Sequence, residues 1–443
     1  MTDQQRWDAM GCSGTWVQTP NIDSVAARGM RFAHAYTNSP VCIPARVSLA
    51  TGLYPHDLEL WNNRTYTLEA SKPTWMRRIR EAGYRTSLFG KTHLHPQRGD
   101  LREKAELLHA YGFDDSDEIA GPRASVRSES SLTELWRKKG VYEAFRSDLA
   151  ERAETKRPLV RPSPLPLDLY ADVYIGRRAV QYLESYDRDE PWFCWVGFTG
   201  PHEPWDAPEP YASRYDPADM PRPVQPLETA WERPAGALDR RMRKRAPLDE
   251  DDIARMRANY AGKVTLIDDQ VGELLKVVDQ RGETERTVVA FVSDHGEMNG
   301  DYGLIYKSTF LNGAARIPLV LAAPEAIAAA GAGSVATAPV ELMDLGATLV
   351  DLAGATLPEE SKAKSLVPLL RDGEPPREDA LSEVKREAML ATSNWKIVVE
   401  RSGDVYLLFD LRADPDERLN LAGDPEHASV RDGLRNQLAR RTA

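Results

Sequence analysis

The chain has 443 residues, of which 42% are hydrophobic and 28% are charged, as in an ordinary globular protein. Its formal net charge of −11 argues against a general nucleic-acid binder, because such proteins need a basic face to neutralise phosphates. No apolar run reaches the length of a membrane span, so we expect neither a nucleic acid nor a membrane as a partner.

The predicted secondary structure alternates between short apolar strands and helical stretches. The strands are YRTSLFG from Tyr84, PWFCWVGFTG from Pro191, TVVAFVSDHG from Thr287 and IPLVLAAP from Ile317. The helices are TWMRRIREAGY from Thr74, the segment from Asp168 to Tyr186 and the long segment from Asp251 to Gly282. Alternation of this kind predicts an α/β fold in which helices cover both faces of a buried, mostly parallel sheet.

Two segments interrupt this alternation. Residues 114–167 are charged and residues 203–249 are rich in proline, so we expect surface excursions that wall a cleft. The charge run from Arg240 to Arg245 is interpreted as solvated. From about residue 376 the pattern changes, because WKIVVERSGDVYLLFDL predicts a hairpin and a helical tail follows it. We predict a main domain of residues 1–375 and a smaller α+β subdomain of residues 376–443.

Reactive side chains follow three of the predicted strands. They are Lys91, His93 and His95 after the first strand, His202 after the second, and Asp294 with His295 after the third. Ligands of open α/β sheets lie beyond the carboxyl ends of the strands, so these side chains are expected to converge on one site.

Some of these residues are suited to a divalent cation. Asp294 and His295 offer a carboxylate and an imidazole, and Asp3 with Gln4 adds oxygen donors. An oxygen-rich set suits Ca²⁺, Mg²⁺ or Mn²⁺ better than Zn²⁺. The alternatives are an ordinary turn at Asp294 and a frayed terminus at Asp3 and Gln4.

The stretch NSPVCIPARVSLATG, residues 38–52, places Cys42 at the start of a predicted helix. Proline at position 44 suits a first helical turn, and the free N–H groups of that turn favour an anion. Cys42 is open to two other interpretations, a small buried hydrophobe or a thiolate nucleophile activated by the helix. Three cysteines are too few for a disulfide framework, and no cysteine-protease signature accompanies them.

The motif Cys42-x-Pro44-x-Arg46, followed by Ser48, Leu49, Thr51 and Gly52, resembles the signature of the type I sulfatases. In that family the cysteine is oxidised to Cα-formylglycine. Further blocks resemble the family in order: TPNIDSVAARGMRFAHAY, GLYPH, AGYRTSLFGKTHL, GPHEPWDAPEPY, SDHGEMNGDYGLIYKSTF, RIPLVLAAP and LFDLRADPDERLNLAG. Together they cover nearly the whole chain, so the resemblance implies the alkaline-phosphatase-like fold, with a mixed, mostly parallel sheet.

The resemblance also implies a role for each matching residue. Cys42 would become formylglycine through a maturation enzyme, and its hydrated gem-diol would attack the sulfur of a small-molecule or saccharide sulfate ester. One divalent cation, expected to be Ca²⁺, would be bound by Asp3, Gln4, Cys42, Asp294 and His295. Arg46 would hold the diol, and Lys91 and Lys307 would neutralise sulfate. His202, with Lys307, would protonate the leaving alcohol. His93 would regenerate the aldehyde.

The chain departs from the family at its start. The family has an apolar strand directly before the first metal aspartate, whereas Met1 stands two residues before Asp3, so the first strand is expected to be truncated. The N-terminal sequence also lacks the basic and apolar regions of a signal peptide. As written, the chain is expected to be cytoplasmic, and a periplasmic or secreted location would follow from a start further upstream.

Three functions are compatible with these residues. The first is a sulfate ester hydrolase, and the second is a phosphonate monoester or phosphodiester hydrolase of the same superfamily. Lys91-x-His93 favours the first, since those relatives differ in this block. The third is a non-catalytic protein that binds sulfated glycans. Trp205 is a candidate for stacking on a sugar, and core packing is the alternative. Asn62 and Asn63 are candidates for the side of the site where the leaving group binds, and a turn is the alternative.

Overall fold

The computed structural model describes residues 1–155, 157–227, 248–324 and 331–442. The predicted charge run at residues 240–245 and part of the excursion at residues 203–249 lie outside these ranges. Within the described residues, none of the helices combines the length and the apolar character that a bilayer crossing requires.

The central sheet consists of two parts on either side of the first three residues. In one part the order is Asp115–Glu118, Arg85–Gly90 and Trp192–Gly197, and all pairs are parallel. In the other part the order is Ser334–Ala336, Met30–Phe32, Leu319–Ala322 and Val289–Val292. Residues 1–3 join the parts, since the Met1 amino group donates to the Val196 carbonyl at 2.8 Å and the Thr2 N–H to the Val292 carbonyl at 2.8 Å.

This arrangement confirms the predicted mixed, mostly parallel sheet. All four strands expected from the apolar runs are present. One of them was expected to be parallel to its neighbours and is not: Leu319–Ala322 pairs antiparallel with both Met30–Phe32 and Val289–Val292. An apolar run fixes burial and not direction, so the sequence pattern could not distinguish these pairings.

Helices pack on both faces of the sheet, as predicted. The described helices of the main body are Pro20–Arg28, Cys42–Thr51, Trp75–Glu81, Ala105–Ala110, Ser131–Lys138, Tyr142–Glu154, Ala171–Glu184, Glu250–Gln280, Asn312–Ala315, Asp344–Leu352 and Val367–Asp372. Two apolar cores result. One lies between the sheet and the helices Trp75–Glu81 and Asp344–Leu352, and the other lies under Ala171–Glu184 and Glu250–Gln280.

Two strands in the middle of the sheet are only partly buried. Trp192, Phe193, Cys194 and Val196 are half-buried in one of them, whereas every residue of Leu319–Ala322 is buried. A largely apolar cavity of about 510 Å³ is lined by Met1, by both partly buried strands and by helices from both faces. We call it the sheet cavity. The prediction of fully buried strands is therefore wrong for this part of the sheet.

The C-terminal part forms an antiparallel sheet, followed by a helix. Its strands are Asp379–Val384, Glu387–Thr392, Trp395–Val399 and Val405–Asp410, in that order, and the helix is Ala428–Arg441. The predicted hairpin corresponds to the last two strands. The first strand contacts the segment that precedes Cys42, since Ser39 donates to the Glu383 carbonyl at 2.6 Å. This sheet therefore supports one wall of the site.

Candidate active site

Cys42 is buried at the first residue of the helix Cys42–Thr51. Val41 before it is extended, and the helix ends at Gly52, whose φ of 71° is the left-handed conformation that glycine adopts without strain. The side chain of Asn63 accepts from the Ile43 N–H at 2.9 Å, so it caps the helix rather than acting as a leaving-group contact. The free end of the helix, with its positive dipole, lies at the cysteine.

Four of the predicted metal ligands lie together. One donor atom from each of Asp3, Cys42, Asp294 and His295 can be chosen so that all lie within 4.8 Å of one another, and all four residues are buried. Arg46 spans the two carboxylates, donating to Asp294 at 2.7 Å and to Asp3 at 3.3 Å. The two buried carboxylates are donors that fit a hard divalent cation, and the imidazole is a donor typical of transition metals. Asp3 does not fray, because residues 2 and 3 pair with residues 293 and 201.

Gln4 has a different environment from the one predicted for a ligand. Its side-chain oxygen accepts from Lys307, and its amide nitrogen donates to Glu203 at 2.9 Å and to Glu297. Its carboxamide therefore links the lysine to two buried carboxylates, and its role as a metal ligand stays a prediction.

Two lysines bring positive charge to the nucleophile position. The Lys307 ammonium lies 3.1 Å from the Cys42 sulfur, and the Lys91 ammonium contacts Asp3. Burial alone would raise the pKa of the Cys42 thiol, but Lys307, His295 and Lys91 together lower it well below its usual value. Burial lowers the pKa of Lys307, but the negative charges of Cys42 and Asp3 outweigh it and raise that pKa. The site is thus built to hold an anion.

Both predicted histidines next to the nucleophile are in place. His93 and His202 both lie beside Cys42, since His202 helps to lower the pKa of the Cys42 thiol and the Cys42 sulfur acts on the pKa of His93. Burial first, and then Lys91, lowers the pKa of His93 to about 4, so this imidazole is neutral at pH 7. His93 adopts a left-handed φ of 63°, which is uncommon for a residue with a side chain. His95, the other histidine of this loop, pairs instead with Glu118 at 2.6 Å.

Several residues of the site were missed from the sequence. Glu203 and Glu297 hold Gln4, and Thr37 donates to the Asp294 carbonyl at 2.6 Å. The two glutamates follow His202 and His295 by one and two residues, so their proximity to predicted site residues was the available signal. Trp205 is buried and stacks on Tyr306 with ring centroids 5.7 Å apart, which favours core packing over the contact with a sugar.

The buried cysteine, the possible cation ligands and the lysine beside them form a site suited to an anion, and comparison with known proteins gives the family. The sulfatase family model matches residues 1–355, and the model of the C-terminal region of N-sulphoglucosamine sulphohydrolase matches residues 300–443. The chain therefore belongs to the sulfatase family of sulfuric ester hydrolases.

Individual relatives agree with this family. The chain is 28% identical to an arylsulfatase of Clostridium perfringens over 99% of this chain and 92% of that protein. A phosphonate monoester hydrolase of Agrobacterium radiobacter has a similar fold, with a TM-score of 0.81 at 24% identity, covering 100% of this chain and 95% of that one. A structure with bound D-glucosamine-2-N,6-O-disulfate has a TM-score of 0.76 at 20% identity, covering 100% and 96%.

Proposed function

We propose that the protein hydrolyses a sulfate ester of a sugar or another small organic alcohol, using Cys42 after its conversion to formylglycine and one divalent cation, Ca²⁺ in the first instance. The observation that carries the proposal is the position of the Cys42 sulfur. It lies at a helix N-terminus, 3.1 Å from both the His295 imidazole and the Lys307 ammonium. In the mature protein this sulfur would be replaced by oxygen, so its contacts mark the place of the nucleophile.

The chain's own residues divide the work between binding and proton transfer. Lys91 and Lys307 would bind the sulfate oxygens, and as the negative charge on those oxygens changes they would stabilise the transition state electrostatically. Arg46 is held by two buried carboxylates, so it would fix the side chain at position 42 and both aspartates. A bound cation and a hydrated aldehyde would together supply a nucleophilic oxygen of lowered pKa.

The two histidines would serve opposite ends of the reaction. His202 would donate a proton to the leaving alcohol, together with Lys307, since His202 lies beside Cys42 and the Lys307 ammonium is 3.1 Å from the Cys42 sulfur. His93, neutral because its pKa is lowered to about 4, would accept the proton whose removal regenerates the aldehyde. A maturation enzyme that oxidises cysteine to formylglycine is the partner that this chemistry requires.

A phosphonate monoester or phosphodiester hydrolase is the second candidate. The full-length likeness to a phosphonate monoester hydrolase favours it, although a likeness at 24% identity shows the fold alone. Lys91 and His93 at the nucleophile favour the sulfatase. Both reactions would use the same oxygen at position 42, so only substrate preference separates them.

The test combines peptide mass with substrate preference. Protein made in a host that matures C-x-P-x-R cysteines should give a tryptic peptide with the mass of formylglycine at position 42. It should hydrolyse 4-nitrophenyl sulfate faster than the phenyl phosphonate monoester, and Cys42→Ala should abolish both activities while Cys12→Ala keeps them. A faster phosphonate reaction would select the second candidate. An unmodified thiol in that host, with no hydrolysis of either ester, would contradict the proposal and favour a binding protein.

A further inference from the structure

A turn of the chain lies over the site on the side of Lys91 and Glu203. The Ala124 N–H donates to the Gly121 carbonyl at 3.0 Å, which closes a turn over residues 121–124. Gly121 lies so close to the Lys91 ammonium that a Cβ on this glycine would come within 3.3 Å of it. The turn is therefore a wall of the anion site, and the side chain of Arg123 projects from it.

The Arg123 side chain is held by Glu203 on one side and is exposed to solvent on the other. Its guanidinium forms an ion pair with Glu203 at 2.9 Å, yet 62% of its side chain is exposed, whereas the Glu203 side chain is 7% exposed. Glu203 is held in turn by Gln4 at 2.9 Å and lies 3.2 Å from the ring nitrogen of His202. A fixed, buried carboxylate thus aims an exposed guanidinium at the side of the site where the leaving alcohol would meet His202.

We propose that Arg123 binds a second anionic group, a carboxylate or another sulfate, on the alcohol part of the substrate. A guanidinium has five donors in a planar fork that matches both oxyanions, and the ion pair with Glu203 is made by the terminal nitrogen Nη2. The substrate class is then a sulfate ester whose alcohol carries its own negative charge. This inference rests on the proposed function for the position of the ester.

The test compares substrates that differ in one charge. Wild-type enzyme should show a higher kcat/KM for 3- or 4-carboxyphenyl sulfate than for the matching carbamoylphenyl sulfate, and a phenylene disulfate tests sulfate as the second anion. Arg123→Ala should reduce this preference by about tenfold, since a hydrogen bond between charged groups is lost, while Arg123→Lys should retain part of it. Arg127→Ala is the matched control, because Arg127 is exposed on the same loop and should leave the preference unchanged.

Binding separates failure of this inference from failure of the proposed function. In the Cys42→Ala protein, which cannot turn over, calorimetry should give a tenfold weaker Kd for carboxyphenyl sulfate on adding Arg123→Ala, and no change for carbamoylphenyl sulfate. An equal loss for both ligands would overturn the inference, because it would show that Arg123 only supports Glu203. An unchanged Kd for both ligands would overturn it as well. If the ratio of the two Kd values changes while no sulfate ester is hydrolysed, the inference stands and the proposed reaction fails.

Discussion

At the scale of single residues, the protonation state of His295 matters for the site as much as the charges around it. His295 lies within 3.6 Å of Asp294 and 3.1 Å of the Cys42 sulfur. Burial lowers the pKa of His295, but Asp294 outweighs burial and raises it. An imidazole must lose its proton before it can bind a metal, so a cation held by His295 would compete with the proton for this residue.

Replacing His295 should therefore weaken cation binding. We expect His295→Ala to raise the Kd for Ca²⁺ or Mn²⁺ by at least about tenfold, since outer partners of ligands already cost that much. In the wild type, the affinity should fall as the pH is lowered, because binding releases the imidazole proton. Calorimetry in buffers of different ionisation enthalpy measures both the Kd and the proton release.

The control is His109→Ala, since His109 is 61% exposed and lies outside the cluster. It should leave the Kd unchanged. An unchanged affinity in His295→Ala would show that the cation is held without this imidazole.

At the scale of elements, one helix start depends on a carboxylate from another helix. The helix Pro20–Arg28 has Thr19 at its N-cap, but the Thr19 side chain makes no capping bond. Asp268, on the helix Glu250–Gln280, accepts from the Ile22 N–H at 2.7 Å and from the Asn21 N–H at 3.1 Å. Burial raises the pKa of Asp268 to about 6, although these bonds act in the opposite direction.

This shift makes a signed prediction for stability. Asp268 binds its proton more tightly in the folded protein than in the unfolded chain, so its stabilising contribution is complete below pH 4 and is lost as the pH rises through 6. Relative to Asp268→Asn, the wild type should gain about 2 kcal/mol in free energy of unfolding between pH 7 and pH 4. Urea unfolding at several pH values measures this difference.

Asp279→Asn is the matched control, because Asp279 is exposed on the same helix. It should show no comparable gain. A wild-type advantage over Asp268→Asn that grows with rising pH would contradict the cause given for the shift.

The sequence predicted the strands and the residues at their ends well, because each depends on one constraint, the burial of apolar runs or the common edge of parallel strands. Apolar runs located the strands, and the polar residues at their ends, among them Lys91, His202 and Asp294, lie around Asp3 as the strand-end rule predicts. It failed where partners are distant in sequence. The link from Asp268 to Asn21 spans 247 positions and that from Gln4 to Glu203 spans 199, and neither leaves a local pattern. The partial burial of strand Trp192–Gly197 was also unreadable, since burial depends on neighbours and not on composition.

The strands that line the sheet cavity allow a prediction of which backbone amides an N-terminal extension would protect. Met1 pairs with the Val196 carbonyl and the Phe198 N–H, and Thr2 pairs with the Val292 carbonyl. Successive residues of this strand bond to the neighbouring strands on opposite sides. The backbone carbonyl of one apolar residue added before Met1 would therefore accept from the Val292 N–H, and the carbonyl of a second residue added before that one would accept from the Val196 N–H. A two-residue Val-Ile extension should therefore slow amide exchange at these two positions by about tenfold or more, while Cys194 and Ala290 stay unchanged.

A Gly-Ser extension is the control for that experiment, because it supplies the same backbone without apolar side chains for the cavity. It should slow exchange less. Equal slowing with both extensions would show that backbone pairing alone drives the effect, and no slowing with either would show that the cavity does not accept a strand.

At the scale of the whole molecule, the C-terminal sheet is joined to the main body through a buried ionic cluster. Arg377 forms an ion pair with Glu341 at 2.9 Å and donates to Asp344 at 2.5 Å, and all three side chains are at most 1% exposed. Arg441, on the last helix, reaches the same Glu341 at 3.0 Å. The strand that follows Arg377 begins at Asp379, and it contacts the segment before Cys42.

Removing Arg377 should therefore affect both stability and the site. Arg377→Ala leaves two buried carboxylates without their main counter-charge, and breaking a buried pair in this way costs about 3–5 kcal/mol of unfolding free energy. Calorimetric unfolding measures the loss, with Arg371→Ala as the control because Arg371 is exposed on the helix Val367–Asp372. The C-terminal sheet holds Ser39, three residues before Cys42, so amide exchange in residues 38–41 should also accelerate in Arg377→Ala. If the stability falls while exchange there is unchanged, the C-terminal sheet stabilises the fold without ordering the segment before the nucleophile.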